Sequence, residues 1–365
     1  MRSRRPALII FGAGAAPGGG SDTATPAAVA RRSRKLILSL RAVPWDLARR
    51  GAASYVLRRP WCASFELTHN CNARCRHCHR GRAVAESFAT PQRLLEVCRE
   101  LRPIVAIMSG GEPLLRPDLL EIVRTLKAGC APLRVFVNTN GALLTLPRFA
   151  ELVDAGVDEV LVSLDYPDER HDAFRAIPGL FGRIRALAAG LPPRERRRVV
   201  LTTVLQADNF RDALAMARLA LDWGVNINFS AYTRLRTNDR SLMIAGDDVP
   251  TFAEVVEQLL AFKSEHGNVP TSEWVLRGMV SFFANGGHLG RCRAGERMVV
   301  VNPDGTLSPC GLLVRGYTTH AELKREFTAR NDCSFCFTST RGNSERPLRH
   351  LVLDHVGYLR RRAEA

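Results

Sequence analysis

Short apolar runs alternate with amphipathic stretches along the middle of the chain. The runs are rich in β-branched residues, and apolar positions at helical spacing follow them, as expected for strands joined by helices. We predict strands at 63–67, 104–109, 134–139, 159–164, 199–205 and 225–231. We predict helices between them at 91–101, 117–127, 146–155 and 210–223. Because parallel neighbours need long crossovers, the alternation predicts an α/β fold with a parallel sheet. Periodicity alone leaves a curved partial barrel and an open doubly wound sheet as alternatives.

The pattern changes after about residue 240. Two helical stretches, at about 250–265 and 271–284, lead to a predicted hairpin at 298–309 whose turn contains Asn302 and Gly305. The predicted organisation has five parts: a basic N-terminal region at 1–60 that is disordered and then helical, a core at 61–240, a helical connection at 241–291, a cysteine-bearing domain at 292–340 and a basic C-terminal helix at 341–365.

Positive charge is concentrated at the start of the chain. The net charge is +16, and residues 1–60 hold 12 Lys and Arg against 2 Asp. Such a segment can meet an anionic membrane surface, an acidic peptide or RNA, and a solvated arginine-rich tail is the equally compatible alternative. No run approaches the roughly 18 apolar residues that a membrane span needs. We therefore expect a cytoplasmic protein, with peripheral contact at the inner face of the membrane as a further hypothesis.

Seven of the ten cysteines fall into two groups, which favours metal ligation in a reducing compartment over a disulfide scaffold. Cys71, Cys75 and Cys78 form a CxxxCxxC loop directly after the first predicted strand. Three thiolates on a cubane cluster leave one iron open to another ligand, whereas an electron-carrying cluster usually takes four. A zinc site is the alternative, with a nearby histidine such as His69 or His79 as the fourth ligand.

This loop resembles the signature of the radical S-adenosylmethionine (SAM) superfamily, and the resemblance extends over about residues 62–235. It implies a partial (β/α)6 barrel of the TIM type, a 4Fe–4S cluster, and reductive cleavage of SAM to a 5′-deoxyadenosyl radical. It also implies an external electron donor such as flavodoxin or ferredoxin. By this resemblance, the residues expected to bind SAM are Gly110, Gly111, Glu112 and Pro113 with its ammonium, Ser163 and Asp165 with its ribose, His77 and Tyr232 with its adenine, and Asn140 at the end of the third strand.

The second cysteine group contains Cys292, Cys310, Cys333 and Cys336. Its hairpin arrangement resembles the twitch form of the SPASM extension, which implies a second, auxiliary 4Fe–4S cluster. Four thiolates would close that cluster and suit it to electron transfer. A structural zinc site is the alternative for these four residues.

Three remaining cysteines, Cys62, Cys98 and Cys130, are predicted to be small buried hydrophobic residues. His171 and Arg175 could contact cofactor or substrate, although surface salt bridging would also explain them. The sequence does not select a catalytic acid or base.

The sequence predicts a radical SAM enzyme acting on a small molecule or lipid-like substrate. The basic N-terminal region motivates that substrate class, since it could lie on an anionic membrane. Maturation of a ribosomally made peptide is the first alternative. RNA modification ranks lower, because the arginines are not interleaved with stacking aromatics and aromatic content is 7%. A non-enzymatic iron–sulfur or zinc protein is the last alternative.

Overall fold

The structure is a computed structural model that describes residues 45–81, 83–131, 133–347 and 350, with side chains described from residue 50. The predictions for the basic stretch at 1–44 and for most of the C-terminal helix lie outside these residues. No helix in the described part of the chain is long and apolar enough to cross a membrane.

A single sheet of eight strands forms the centre of the molecule. The strands are β1 Cys62–Thr68, β2 Val105–Gly110, β3 Arg134–Thr139, β4 Glu159–Ser163, β5 Val199–Leu205, β6 Asn226–Ala231, β7 Met298–Val301 and β8 Leu307–Ser308. Their order is β6-β5-β4-β3-β2-β1-β7-β8, and every neighbouring pair is parallel except β7 and β8. The predicted α/β class with a parallel sheet is confirmed.

The strand order also decides between the two architectures that periodicity leaves open. A doubly wound sheet reverses direction at a switch point. Here each of β1 to β6 lies next to its predecessor, so the chain winds in one direction as in a β/α barrel. Within the described residues β6 and β8 are the two edges of the sheet, so the barrel is a partial one.

Helices follow most of the strands. They are α1 Trp45–Val56, α2 Pro91–Leu101, α3 Leu119–Gly129, α4 Leu146–Ala155, α5 Arg170–Arg175, α6 Leu180–Gly190, α7 Pro193–Arg196, α8 Ala213–Asp222, α9 Asp248–His266, α10 Glu273–Ala284, α11 His320–Glu326 and α12 Ser339–Ser344. Threonine side chains cap several of these helices at the N-terminus. Thr90 Oγ1, for example, accepts a hydrogen bond from the amide of the third residue of α2, and Thr145 Oγ1 does the same for α4. The predicted helix at 210–223 begins with a 3₁₀ turn instead.

Alternating side chains on each strand define two faces of the sheet. On β1, Phe65 and Leu67 are buried in the hydrophobic core against the helices. Ser64 and Glu66, which alternate with these two residues, lie on the opposite face of the sheet and pair in register with Ile107 and Ser109 of β2.

The C-terminal hairpin extends the barrel on the side of its first strand. β7 pairs with β1 in parallel, with Cys62 opposite Met298, and β8 folds back on β7. Buried Arg341 of α12 connects the segments before and after this hairpin. It donates hydrogen bonds to the carbonyl oxygens of Leu289 and Gly290 before the hairpin and of Cys336 after it, at 2.6–2.7 Å. The second cysteine group is thus held beside the strand that leads into the first.

Candidate active site

The carboxyl ends of the first four strands bring the predicted site residues to one edge of the barrel. The cysteine loop follows β1, the Gly110–Glu112 turn follows β2, Asn140 follows β3 and Asp165 follows β4. Parallel strands end at the same edge, so residues far apart in sequence meet there.

The two glycines after β2 hold the cysteine loop by close backbone contact. A Cβ on Gly110 would lie 2.2 Å from the carbonyl oxygen of Thr68, and one on Gly111 would lie 2.0 Å from that of Asn70. The amide of Gly111 donates to Thr68 O at 2.7 Å, and the amide of Glu112 donates to Asn70 O at 2.9 Å. Only glycine permits this approach. In this structure the glycine pair therefore positions the loop that carries the cysteines.

Glu112 is fully buried and ties the ends of β2 and β3 together. Its Oε1 accepts from Thr139 Oγ1 at 2.7 Å and from Leu114 N at 3.0 Å, and its Oε2 accepts from Asn140 N at 2.8 Å. Burial raises the pKa of Glu112, although these three hydrogen bonds oppose the rise. A carboxylate has about four lone-pair positions, so one remains for the SAM ammonium predicted from the resemblance. Pro113 starts the 3₁₀ turn that follows.

Each cysteine sulfur of the loop has a donor from a different part of the barrel. Asn140 Nδ2 lies 3.8 Å from Cys71 Sγ. Arg175 Nη1 lies 3.5 Å from Cys75 Sγ, and Arg236 Nη1 lies 3.9 Å from Cys78 Sγ. Two of the three donors are cationic, and at Cys75 the charge of Arg175 opposes the rise in the pKa of the thiol that burial causes. Hydrogen bonds to the sulfurs are also one of the factors that set a cluster's reduction potential.

The donor set fits a 4Fe–4S cluster. The three sulfurs lie on one short, partly buried loop, and burial raises the pKa of the Cys71 and Cys75 thiols, a penalty that ligation to iron would offset. A cavity of about 480 Å³ borders Cys75 and Cys78 and is lined also by Arg74, Arg80 and Gly81. Among the described residues, no three His, Cys, Asp or Glu side chains are arranged to hold a single metal ion. A cubane spreads its cysteines over different irons, so this finding is compatible with a cluster.

Asp165 is fully buried and already paired. Arg175 Nε and Nη2 donate to its Oδ2 at 2.8 and 2.5 Å, and the amide of Val204 donates to Oδ1 at 3.1 Å. Burial disfavours the carboxylate, but Arg175 outweighs that effect with the help of nearby histidines and lowers the pKa of Asp165. Its observed role is to orient Arg175 towards Cys75. Ser163, at the end of β4, is partly buried and pairs in register with Thr202, so its predicted contact with the ribose stays a prediction.

The two aromatic candidates for the adenine are both enclosed by protein. His77 packs against Phe174 with ring centroids 4.9 Å apart, and burial lowers its pKa to about 3. Its Nδ1 has no hydrogen-bond partner, which leaves one buried polar atom available for a ligand. The hydroxyl of Tyr232 is bonded to Thr237 Oγ1 at 2.6 Å and donates to Asp239 O at 3.1 Å. Of the two, only His77 has an unused polar atom.

One of the two arginines of the site was identified from the sequence, and the other was missed. Arg175 lies in a stretch singled out there, but the surface-salt-bridge interpretation of it is wrong, because Arg175 and His171 are 7% and 0% exposed. Arg236 was not predicted. It lies in a loop after β6, and nothing in its sequence surroundings distinguishes it from the other arginines of the chain.

The second cysteine group also converges. Cys292 donates a hydrogen bond to Cys336, which raises the pKa of Cys292 and lowers that of Cys336 to about 7. The amide of Cys292 donates to Cys333 O at 2.7 Å. Burial raises the pKa of the Cys310 thiol to about 12, and the nearby Cys336 and Cys333 contribute. The four cysteines thus lie near one another, as ligation of a closed cluster requires, although among the described residues no three are arranged to hold a single zinc ion.

Comparison with known proteins identifies the central part of the chain. The family model of the radical SAM superfamily matches residues 65–220, which contain the cysteine loop and the glycine turn. These residues therefore carry a radical SAM domain. The AdoMet-dependent heme synthase of Methanosarcina barkeri is 42% identical over 135 residues, 35% of this chain and 38% of that protein. The PqqA peptide cyclase of Methylocella silvestris is 29% identical over 266 residues, 67% of this chain and 66% of that protein.

Two solved structures share the fold of this chain. Streptococcus suis SuiB bound to its precursor peptide SuiA aligns with a TM-score of 0.57 at 13% identity, covering 82% of this chain and 67% of SuiB. The anSMEcpe structure with bound AdoMet aligns with a TM-score of 0.55 at 17% identity, covering 74% of this chain and 79% of that chain. The chain spans about a third of the length of the heme synthases that it matches.

We predict that Gly111→Ala loses the first cluster. The added methyl group would collide with the carbonyl oxygens of Asn70 and His69, at 2.0 and 2.8 Å, and displace the cysteine loop. Iron analysis after anaerobic reconstitution should fall from about eight to about four irons per chain. Gly182→Ala, within α6, is the matched control, because its Cβ would meet nothing within 4 Å. Full iron content in Gly111→Ala would contradict this role.

A second prediction concerns pH. His171 accepts a hydrogen bond from the amide of Asp165 at Nδ1, which requires the neutral ring, and burial followed by the charge of Arg175 lowers its pKa from 6.5 to about 4. The unfolded chain therefore binds more protons than the folded one between these values, and stability falls as the pH drops through this window. The loss reaches about 3 kcal/mol at pH 4.

His171→Asn keeps an acceptor for the Asp165 amide but cannot titrate, so its stability should fall less over this window. Urea denaturation of anaerobic holoprotein at several pH values measures the difference. The exposed His266 provides the control His266→Asn, which should follow the wild type. Equal pH slopes in the wild type and His171→Asn would refute the assignment.

Proposed function

We propose that the protein is a radical SAM enzyme whose SAM-binding cluster is held by Cys71, Cys75 and Cys78. One observation carries the proposal: three cysteine sulfurs lie on a single loop that the glycine turn locks at the carboxyl edge of the barrel. This loop supplies three ligands for four irons. When bound there, a 4Fe–4S cluster supplies the low-potential electron that cleaves SAM to methionine and a 5′-deoxyadenosyl radical.

The residues of the chain bind and orient the reactants. Glu112, with its remaining lone pair, would accept a hydrogen bond from the SAM ammonium, and the buried Nδ1 of His77 is available to the adenine. Asp165 holds Arg175 in place, and Arg175 and Arg236 place positive charge beside the thiolates of Cys75 and Cys78.

We further propose that Cys292, Cys310, Cys333 and Cys336 bind an auxiliary 4Fe–4S cluster. Such a closed cluster would supply an electron-transfer site beside the barrel. Two observations support the proposal. The four thiols lie near one another, and the hairpin that carries Cys310 is joined to the barrel by the pairing of β7 with β1. A structural zinc ion is the alternative that metal analysis distinguishes. The external electron donor would be a protein such as flavodoxin or ferredoxin.

For the substrate, we propose a peptide. The match to the PqqA peptide cyclase covers 67% of this chain, whereas the match to the heme synthase covers 35%. The match to peptide cyclases therefore extends over more of the molecule. SuiB, whose structure holds a precursor peptide, shares the fold over 82% of this chain. This proposal replaces the expectation of a small-molecule or lipid-like substrate as the better supported one.

The membrane hypothesis depends on the basic N-terminal region at 1–60, most of which lies outside the described residues, and it stays a prediction. The RNA hypothesis gains no support from the relatives described above.

The central activity is tested with the isolated protein. Anaerobically reconstituted protein, reduced with dithionite, should convert SAM to 5′-deoxyadenosine. Cys75→Ala should lose this product because it removes one ligand, while Cys62→Ala, a cysteine outside both groups, should retain it. Zinc in place of iron, or no 5′-deoxyadenosine from the iron-loaded wild type, would refute the proposed activity.

The substrate class is tested by fractions of the host cell extract added to the same assay. We expect a fraction that stimulates 5′-deoxyadenosine formation and loses this effect after protease treatment, because a peptide substrate would be destroyed. Cys75→Ala with the same fraction is the control for background product. Stimulation that survives protease but is lost on nuclease treatment, solvent extraction or small-molecule filtration would instead identify RNA, a lipid or a metabolite and overturn the peptide proposal.

A further inference from the structure

Two cysteines outside both cluster sites lie against each other in the core. Cys98 is in α2 and Cys130 directly follows α3, and their sulfur atoms are 2.8 Å apart. Cys130 Sγ also lies 3.4 Å from the carbonyl oxygen of Cys98. The pair is 0% and 6% exposed, respectively. No step of the proposed reaction uses either residue.

The sulfur separation is shorter than ordinary van der Waals contact between sulfur atoms. Two small hydrophobic residues packed for volume alone, as predicted from sequence, have no reason to approach so closely. Only a small movement separates this arrangement from an S–S bond, whose length is about 2.0 Å. The close approach therefore favours a pair that can become covalently linked.

The charges of Arg50 and Arg99 act on both sulfurs, but only Cys130 also accepts a hydrogen bond from Arg50. Arg50 lies in α1, and Arg99 Nε also donates to the carbonyl oxygen of Gly129 at 3.1 Å. The hydrogen bond from Cys98 and these two guanidinium groups outweigh burial and lower the pKa of Cys130 to about 7. Since the thiolate is the reactive form, Cys130 is the nucleophile of the pair and Cys98 the resolving thiol.

A metal site does not explain the pair. Structural zinc takes four ligands, and among the described residues no group of three His, Cys, Asp or Glu is arranged to hold a metal ion. Two thiols in contact, of which only Cys130 accepts hydrogen bonds from Cys98 and Arg50, match a redox pair better than half of a zinc site.

We propose that Cys98 and Cys130 form a reversible disulfide when hydrogen peroxide reaches Cys130. The Cys130 thiolate attacks one peroxide oxygen, giving the sulfenic acid and hydroxide. The Cys98 thiol then attacks the Cys130 sulfur, forming the S–S bond and releasing water. The two thiols lose two electrons in total, and the peroxide gains them. A dithiol reductant reverses the reaction by thiol–disulfide exchange.

The bond would close a loop that contains a key part of the barrel. Residues 98–130 include β2 and the Gly110–Glu112 turn, which holds the cluster loop in place. A disulfide that closes this loop restricts the unfolded chain and stabilises the folded one. Peroxide would thereby strengthen the segment that supports the oxygen-sensitive site.

Peptide mapping tests the proposal on the reconstituted holoenzyme. The protein is treated with hydrogen peroxide, alkylated with N-ethylmaleimide and digested with trypsin. Cleavage after Arg93, Arg99, Lys127 and Arg134 places the two cysteines in peptides 94–99 and 128–134. We expect these two peptides to be found joined, and to separate after dithiothreitol treatment. The thermal midpoint of the oxidised protein should rise by roughly 5 °C.

Cys98→Ala serves as the variant without the resolving thiol. It should keep Cys130 as a sulfenic or sulfinic acid after peroxide and show no rise of the thermal midpoint. Cys62→Ala is the matched control and should behave as the wild type. Both cysteines recovered alkylated after excess peroxide, or Cys130 overoxidised in the wild type with Cys98 still a thiol, would overturn the proposal. These outcomes do not depend on SAM cleavage.

Discussion

The site depends on one close backbone contact, between the glycine turn after β2 and the loop after β1. The turn donates two amides to the carbonyl oxygens of Thr68 and Asn70, and its Cα atoms approach so closely that no side chain fits. This contact sets the position of Cys71 relative to the ends of β2 and β3. Glu112 then extends the same arrangement to Asn140. If the turn moves, the geometry of the cluster loop changes with it.

Charge balance is the second constraint. Three partly buried sulfurs would be costly to ionise without compensation, because desolvation disfavours thiolates. The chain places Arg175 and Arg236 beside two of them, and it fixes Arg175 with the fully buried Asp165. An aspartate predicted to bind the ribose thus has an observed task in the protein itself. The contact between Arg175 and Cys75 could not be predicted from the sequence, because the two residues are 100 positions apart.

Much of the fold is readable from the sequence, and the reason is physical. The strands are rich in β-branched apolar residues, so all six predicted barrel strands are found, and the helices at 91–101 and 146–155 have the predicted bounds. The cysteines and glycines are readable because their chemistry and spacing are local. The position of Arg236 and the Cys98–Cys130 contact could not be predicted from the sequence, since each depends on tertiary packing that no local pattern encodes. The pairing of β7 with β1 is likewise a long-range event.

The central claim is that one cluster has an iron open to SAM and that the other is closed. Mössbauer spectra of ⁵⁷Fe-reconstituted holoenzyme with and without SAM test this directly. The account predicts about eight irons in two cubanes, with SAM shifting the parameters of a single iron site, because only that iron gains nitrogen and oxygen ligands. Spectra that do not change on adding SAM, or a protein that binds no cubane cluster, would contradict it.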